Sequence, residues 1–326
     1  MRRSICRYIA VTLGAVATGL ILPAGPASAE YPENPIRIIV PYQPGGGIDM
    51  VARLIGPRLS DTLKQPVIVE NKPGASGMIA AGTVAKASPN GYTILIDAPG
   101  IAMNPALFRK VPYDPIQDIE PVAQLISLPF AVVVNPNVKA VNIRELIALA
   151  KHVPGQLNVA SSGPTSRLAG ELFSLQASIK VTFIPYKGAA PASTSVLSGE
   201  TQLMFSDLPS VAQHVRSGQL KALAVTGAQR SNLMPTVPTV KESGLESYEV
   251  VSWYGIFAPA GTPRNVVARL SKELGRIVFL DDISERLSTL GGEPVSTTPA
   301  QFAAFYRDEV RRWKEVVQRA NLQPAD

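Results

Sequence analysis

The sequence has one cysteine and two histidines in 326 residues. The cysteine is Cys6, at the extreme N-terminus, so the rest of the chain has no thiol for a disulfide, a thiolate nucleophile or a zinc–cysteine cluster. His152 and His214 are too few and too far apart to supply an imidazole metal set, and no metal or cofactor is called for. Charge is sparse, at 17% of residues, and the net charge of +6 falls to +3 without Arg2, Arg3 and Arg7. That surplus is small and dispersed, which argues against the basic face of a nucleic-acid binder. Long apolar runs are also scarce. The one notable run, from Ile9 to Leu22, counts 14 residues, short of the roughly 20 that span a bilayer. What is plentiful is hydrophobic material in general, at 46%, enough for one large or two ordinary domains.

Residues 1–29 divide into a basic start (Met1 to Arg7), the apolar run closed by Pro23, and the small-x-small triplet Ala27-Ser28-Ala29. This is the pattern of an export signal cleaved after Ala29, so the mature protein is expected to begin near Glu30 and to work in an oxidising space outside the cytoplasm. Cys6 lies too early for a lipoprotein cysteine and leaves with the signal.

From Pro35 onward, short apolar runs alternate with helical spacing. Strands are expected over 36–40, 67–69 and 93–96, with helices over 48–63 and 78–87. The same plan recurs in the middle. Strands are expected at 130–134, 157–160, 181–184, 203–205 and 222–225, with helices over 143–152, 168–177, 192–197 and 209–216. A last strand over 253–258 precedes helices over 263–279, 283–290 and 299–320. Strands that are continuous apolar runs imply an α/β fold with a parallel sheet covered on both faces.

The most informative segment is Pro41-Tyr42-Gln43-Pro44-Gly45-Gly46-Gly47-Ile48-Asp49, which joins a strand to a helix through three glycines. Glycines let backbone approach a ligand, and the first amides of a helix have no partner within it. The segment is therefore either an anion cradle or a plain tight turn with Asp49 favouring the positive helix end. It lacks the Lys-Ser/Thr of a nucleotide-binding P-loop. A second strand-to-helix loop, Ser161-Ser162-Gly163-Pro164-Thr165-Ser166-Arg167, carries four hydroxyls and a guanidinium, and ordinary helix capping explains it equally well. If two α/β units face each other, these loops converge on one cleft at the strands' carboxyl ends. Lys72-Pro73-Gly74-Ala75-Ser76-Gly77 could add amides and a hydroxyl, and Tyr186-Lys187-Gly188 a charge. Asp207 either accepts from a ligand amine or caps the turn that follows it.

These motifs, with Asn104-Pro105-Ala106-Leu107, Pro112-Tyr113-Asp114-Pro115 and Ala258-Pro259-Ala260-Gly261-Thr262-Pro263, together resemble the Bug family. These TctC-like proteins are the periplasmic solute receptors of tripartite tricarboxylate transporters. The resemblance runs from about Tyr31 to the C-terminus. It implies a fold like a type II periplasmic binding protein, with two α/β lobes around a ligand cleft joined by two crossing strands. The first lobe is expected to comprise 30–126 with 250–326 and the second 127–249. It further implies no catalysis, a small carboxylate as ligand (an amino acid, a di- or tricarboxylate, or an aromatic acid), and two membrane subunits as partners. Carried onto this sequence, the ligand contacts fall on Tyr42, Pro44, Gly45, Gly46 and Asp49, on Ala75 and Ser76, and on Ala98 and Asn104. In the second lobe they fall on Ser161, Ser162, Thr165, Arg167, Lys187, Gly188 and Asp207.

Two departures stand out. Pro99-Gly100-Ile101-Ala102-Met103 replaces a more polar wall, and Arg167 stands where relatives often carry histidine. The first favours an apolar ligand body and the second an extra acidic group. The rivals are a receptor of the same fold that signals to a membrane sensor, and an exported hydrolase using Ser161 or Ser76. The latter lacks a Gly-x-Ser-x-Gly elbow. Trp253, on the returning strand near the hinge, is expected to report ligand closure, and Trp313, on the last helix, to be silent. N-terminal sequencing of the exported protein should read from Glu30; Met1 or a lipidated Cys6 would refute the signal assignment.

Overall fold

The computed structural model describes residues 31–325; the basic start, the apolar run, Cys6 and the cleavage point after Ala29 lie outside the described residues. The first half is built from β1 (Ile36–Val40), α1 (Gly47–Leu63), β2 (Val67–Asn71), a 3-10 turn (Ala75–Gly77) leading into α2 (Met78–Ala85), β3 (Thr93–Asp97) and α3 (Gly100–Leu107). β1 lies between β2 and β3 and is parallel to both. All three strands therefore deliver their following loops to one edge. Ile36, Ile38, Ile39, Val40 and Ile94 to Ile96 are fully enclosed. Burial on both faces is why these strands are apolar without alternation.

β4 (Ile119–Val134) then leads into α4 (Ile143–His152), β5 (Asn158–Ser161), α5 (Pro164–Ala177), β6 (Thr182–Pro185), α6 (Ala189–Ser198), β7 (Leu203–Asp207), α7 (Leu208–Arg216) and β8 (Lys221–Val225). β5 is parallel to both β6 and β7, so their loops also share an edge. The chain closes with β9 (Val251–Pro259), α8 (Arg264–Ile277), α9 (Asp281–Thr289), the two-residue β10 (Glu293–Pro294) and α10 (Pro299–Arg319). The result is two α/β lobes joined through β4 and the segment leading into β9.

The expectation of a wholly parallel sheet needs correction. β4 pairs antiparallel with β9 over its first part and with β7 and β8 from Phe130 onward. The strand order is β2-β1-β3-β9-β4-β7-β5-β6. β4 leaves the first lobe beside β9, which returns to it, so the two must run oppositely. Parallel pairs persist where a helix carries the chain between strands. Sequence patterning located only 130–134 of β4 because Pro121 and Pro129 look like breakers. Register shifts between Pro121 and Ala123 and between Gln124 and Ile126 accommodate the first, as proline at a bulge requires. The apolar stretch read as a loop wall at 99–105 is largely α3.

α10 binds the lobes together. It opens with Thr298 and Gln301 in a reciprocal capping box and Pro299 in the first turn. Phe302 and Tyr306 pack on Trp253 and Phe257 of the first lobe, while Trp313, Val316 and Val317 pack with Phe130, Leu168 and Phe173 of the second. The last turns of α10 therefore contribute to the core of the second lobe as its first turns do to that of the first.

Between those contacts the buried Glu309 carboxylate accepts from the indole N–H of Trp253 and of Trp313, both at 3.0 Å on Oε2, and from Arg312 on Oε1. Arg312 also donates to the Glu249 carbonyl at 3.0 Å, two residues before β9 begins. The two tryptophans share one acceptor, so the expectation that Trp313 is silent while Trp253 reports closure does not follow from the packing. Glu309→Gln should lower stability by about 1.5–3 kcal/mol, the value of hydrogen bonds to a charged group. Both tryptophans should change emission together. Chemical denaturation of single-tryptophan variants, with and without the substitution, checks this; a change confined to one tryptophan would dissolve the shared node.

Candidate functional site

The loop between β1 and α1 is held from inside. Asp49, only 2% exposed, accepts from the Gly45 amide at 2.9 Å, from Arg53 Nε at 3.0 Å and from Asn71 Nδ2 at 2.8 Å. Desolvation works to raise its pKa, but the bonds from Arg53, Gly45 and Asn71 and the charge of Arg53 outweigh it, and the pKa is lowered. Both Asp49 oxygens are therefore engaged in shaping the loop. Gly45 has φ +88°, a conformation that favours glycine. At Gly47 a Cβ would come 2.9 Å from the Tyr254 hydroxyl, so the loop has to be bare there to let β9's phenol approach. Gly46 takes extended dihedrals, and a Cβ on it would meet only the Gln43 carbonyl at 3.7 Å. No side chain caps α1, so its first turn presents backbone amides beside exposed Pro44, Gly45 and Gly46.

Beside it, the turn after β2 carries Ala75 and Ser76 at φ +46° and +53°. Left-handed residues with a Cβ are strained by about 1–2 kcal/mol each, and such strain concentrates where backbone meets ligand. Successive residues in this conformation can point their amides into a common concavity suited to an anion. The turn is fixed by Asn104, whose side-chain amide donates to the Ser76 carbonyl at 3.1 Å from within α3. Asn104 is 3% exposed and works here as a tie. Tyr42 is half-buried above this turn; burial, then the charge of Asp97 and the neighbouring phenols of Tyr254 and Tyr113, push its pKa well above the usual phenol value.

Sequence reasoning passed over Asp97. It ends β3 fully buried, and burial raises its pKa to about 8, opposed by one hydrogen bond from the Ala98 amide at 2.7 Å. Ala98 itself is half-buried at the lip of the loop. A lone acid at the end of the apolar run 93–96 was the signal available.

In the second lobe, Gly163 caps α5. Ser162 donates its amide and hydroxyl to Ser166 Oγ at 2.9 and 3.2 Å, and buried Ser161 donates to the Gly163 carbonyl at 3.3 Å. These serines satisfy one another. Thr165 reaches the first lobe, with its hydroxyl 3.9 Å from the Met103 sulfur of α3. Arg167 is engaged elsewhere: it pairs with Glu171 at 2.6 Å, and its guanidinium lies 4.2 Å from the centre of the Phe183 ring. Lys187 is exposed and Gly188 half-buried at the start of α6. Asp207 stands at the start of α7, accessible to solvent, and its side chain makes no capping bond. Desolvation by the surrounding protein raises its pKa. Its charge reaches Tyr254, whose pKa rises to about 12, first from burial and then from Asp207.

The first-lobe candidates thus lie together at the carboxyl ends of β1, β2 and β3, and the second-lobe candidates at those of β5, β6 and β7. Thr165 with Met103 and Asp207 with Tyr254 connect the two groups. Tyr254 was not named from sequence, because it reads as ordinary core within an apolar stretch; Met103 entered only as part of the apolar wall at 99–103.

Comparison with known proteins identifies the family and fold. The profile described as tripartite tricarboxylate transporter family receptor matches residues 51–322. BugT of Bordetella pertussis is 35% identical over 319 residues, covering 96% of this chain and 97% of that one. The structure of Rpa4515 of R. palustris with adipate superposes with TM-score 0.74 at 33% identity, covering 91% and 100% of the two chains. MatC (Rpa3494) of Rhodopseudomonas palustris with bound malate gives 0.70 at 31% identity, covering 88% and 100%. Among the described residues no helix is long and apolar enough to cross a membrane.

Asp97 provides a pH test. Its folded pKa lies above its ordinary value, so between about pH 4 and pH 8 the folded state holds a proton that the unfolded chain releases. This makes stability fall as pH rises through that window and level off above it. Asp97→Asn should remove the effect. The variant should gain a few kcal/mol over wild type by pH 8, at about 1.4 kcal/mol per pKa unit, and little near pH 4. Thermal melts across that range check it; a gain independent of pH would mean Asp97 is not the titrating group.

Proposed function

This chain belongs to the family of tripartite tricarboxylate transporter receptors, and from that premise we propose that it captures a small carboxylate in the periplasm and hands it to two membrane subunits of such a transporter. The reading includes export by the segment 1–29 and cleavage after Ala29. The observation that carries it is the pairing of an uncapped α1 start with the left-handed Ala75–Ser76 turn on one edge, opposite three further strand ends. Backbone amides at a helix start favour an anion without a counter-charge.

In this proposal the carboxylate sits on the amides around Gly46 and the Ala75–Gly77 turn, with Tyr42, Pro44 and Ala98 around it. Gly45, Asp49 and Asn104 hold the two loops in shape. Ser161, Ser162, Thr165, Gly188 and Asp207 close over the ligand from the other lobe. The lobes, 30–126 with 250–326 and 127–249, move about the point where β4 changes partners, at Pro129 and Phe130. Adipate and malate in the structures of relatives support the carboxylate class.

Gly46 offers the cleanest test. Its dihedrals suit any residue and nothing crowds its Cβ, so Gly46→Val should fold with near wild-type melting while its side chain covers the amides. Loss of charge-assisted hydrogen bonds, about 2–3 kcal/mol, predicts roughly 30- to 150-fold weaker binding of the acid that native mass spectrometry finds on the purified protein. Normal binding by the variant, with equal competition from the neutral amide of that acid, would return Gly45 to Gly47 to a plain turn.

A further inference from the structure

The second lobe presents its charges unevenly, and the pattern bears on which acid the cleft accepts. Arg167, the cation that the sequence offered for a second acidic group, is tied to Glu171 at 2.6 Å and stacked on Phe183 at 4.2 Å. On the first lobe, Arg53 is taken up by Asp49 and Lys72 lies 3.4 Å from Glu70. Lys187 follows β6, and β5 separates β6 from β7. Adjacent strands lie about 4.8 Å apart, so Lys187 stands about 10 Å outward from the end of β7.

The end of β7 carries Asp207 instead. Two roles were open to it from sequence, helix cap or partner of a ligand amine. The structure removes the first, since α7 starts at Asp207 without a side-chain cap. Among the described residues its carboxylate accepts no hydrogen bond from, and makes no ion pair with, any other residue; only its own backbone amide reaches it, and desolvation still raises its pKa. Its field falls on Tyr254, whose hydroxyl packs against Gly47 of the anion loop. Asp207 thus stands at the carboxyl end of β7, opposite Phe130 of β4, as an accessible acid of the second lobe, while the Tyr254 phenol lies against the anion loop of the first.

We propose that Asp207 is a specificity residue that selects carboxylates bearing an ammonium group and disfavours dicarboxylates of the same length. This rests on the carboxylate-receptor reading above. A second carboxylate beside Asp207 would meet like charge, and the repulsion is screened less once the lobes close on a ligand and water leaves. An ammonium there would make a charge-assisted hydrogen bond and neutralise the acid. Selection arises as much from this repulsion as from the attraction.

The test uses length-matched probes: 6-aminohexanoate against adipate, and 4-aminobutyrate against succinate, titrated calorimetrically into ligand-free full-length mature protein near neutral pH. The amino member of at least one pair should bind at least about tenfold more tightly than its dicarboxylate. Asp207→Asn, isosteric and at an accessible site, should remove that preference by weakening the amino probe and sparing or tightening the dicarboxylate, with melting unchanged. Asp207→Ser, which removes the carboxylate altogether, should do the same if the asparagine variant melts early. Adipate or succinate binding as tightly as its amino partner would overturn the inference and leave the receptor reading intact. So would dicarboxylate binding that is lost in Lys187→Met, which would assign the far end of the ligand to Lys187. If Asp207→Asn leaves the amino probe unaffected, Asp207 has no part in selection. If no probe binds and no acid accompanies the purified protein, the carboxylate reading itself falls.

Discussion

Between Pro129 and Phe130, β4 gives up β9 as its neighbour and takes β7 and β8, and much of the molecule's organisation follows from that exchange. A continuous strand is stiff along its length, yet a change of partners leaves one point where few ladder bonds resist bending. Each lobe can then keep its own core: Val122, Leu125 and Ile126 pack in the first, Phe130, Val132 and Val134 in the second. The return path crosses nearby, where Val250 donates to Thr226, and Thr226 donates to Phe130. Two crossings side by side would confine any relative motion of the lobes to rotation about a narrow zone, as the proposed hinge requires. The same arrangement makes the cleft, because both parallel strand sets end facing it.

α10 complicates that picture in a useful way. Its ends belong to different cores, and Glu309 holds both tryptophan indoles at the place where the cores meet. A carboxylate buried there is tolerable because Trp253, Trp313 and Arg312 all donate to it, one of them a guanidinium; removing any of them would leave part of its charge uncompensated. The hinge is therefore reinforced at one side by a polar node and left free on the cleft side, where the contact of Thr165 with Met103 is long and weak. Closure on a ligand would have to proceed around this fixed side.

Much of the fold could be read from sequence because buried parallel strands are continuous apolar runs and the helices between them keep their spacing. β4's first half could not be, since Pro121 and Pro129 mimic breakers until the bulges and the partner change are seen. The loops of the site were legible as glycine- and serine-rich joins between strand and helix. Which groups in them are available was mostly not. Asp49 turns inward to Gly45, Asn71 and Arg53, a choice fixed by β2 lying alongside. The Arg167–Glu171 pair was readable as an i,i+4 spacing, but Phe183, which completes its capture, comes from a different strand. Tyr254 against Gly47 depends on β9 returning beside β3, a tertiary fact that no local pattern carries.

These captures determine what kind of recognition remains. With Asp49 and Arg53 neutralising each other, an anion at the first lobe would meet mainly backbone amides in the proposed site, and amides at a helix start do not distinguish one carboxylate from another. Such a site provides affinity for the carboxylate common to many acids and leaves their identity to whatever lies across the cleft. There the side chains differ in kind: mutually bonded serines, a threonine resting on a sulfur, an outlying lysine and an aspartate that caps no helix. A receptor built this way can change its solute by altering the second lobe's strand ends while the anion loops stay as they are. The constraint on Gly45 and Gly47 is imposed by backbone dihedral and by Tyr254, both indifferent to the ligand's body. Substitutions there threaten the loop itself, whereas on the proposed reading substitutions at Asp207 or Lys187 would change only what an acid held by the loop carries at its other end.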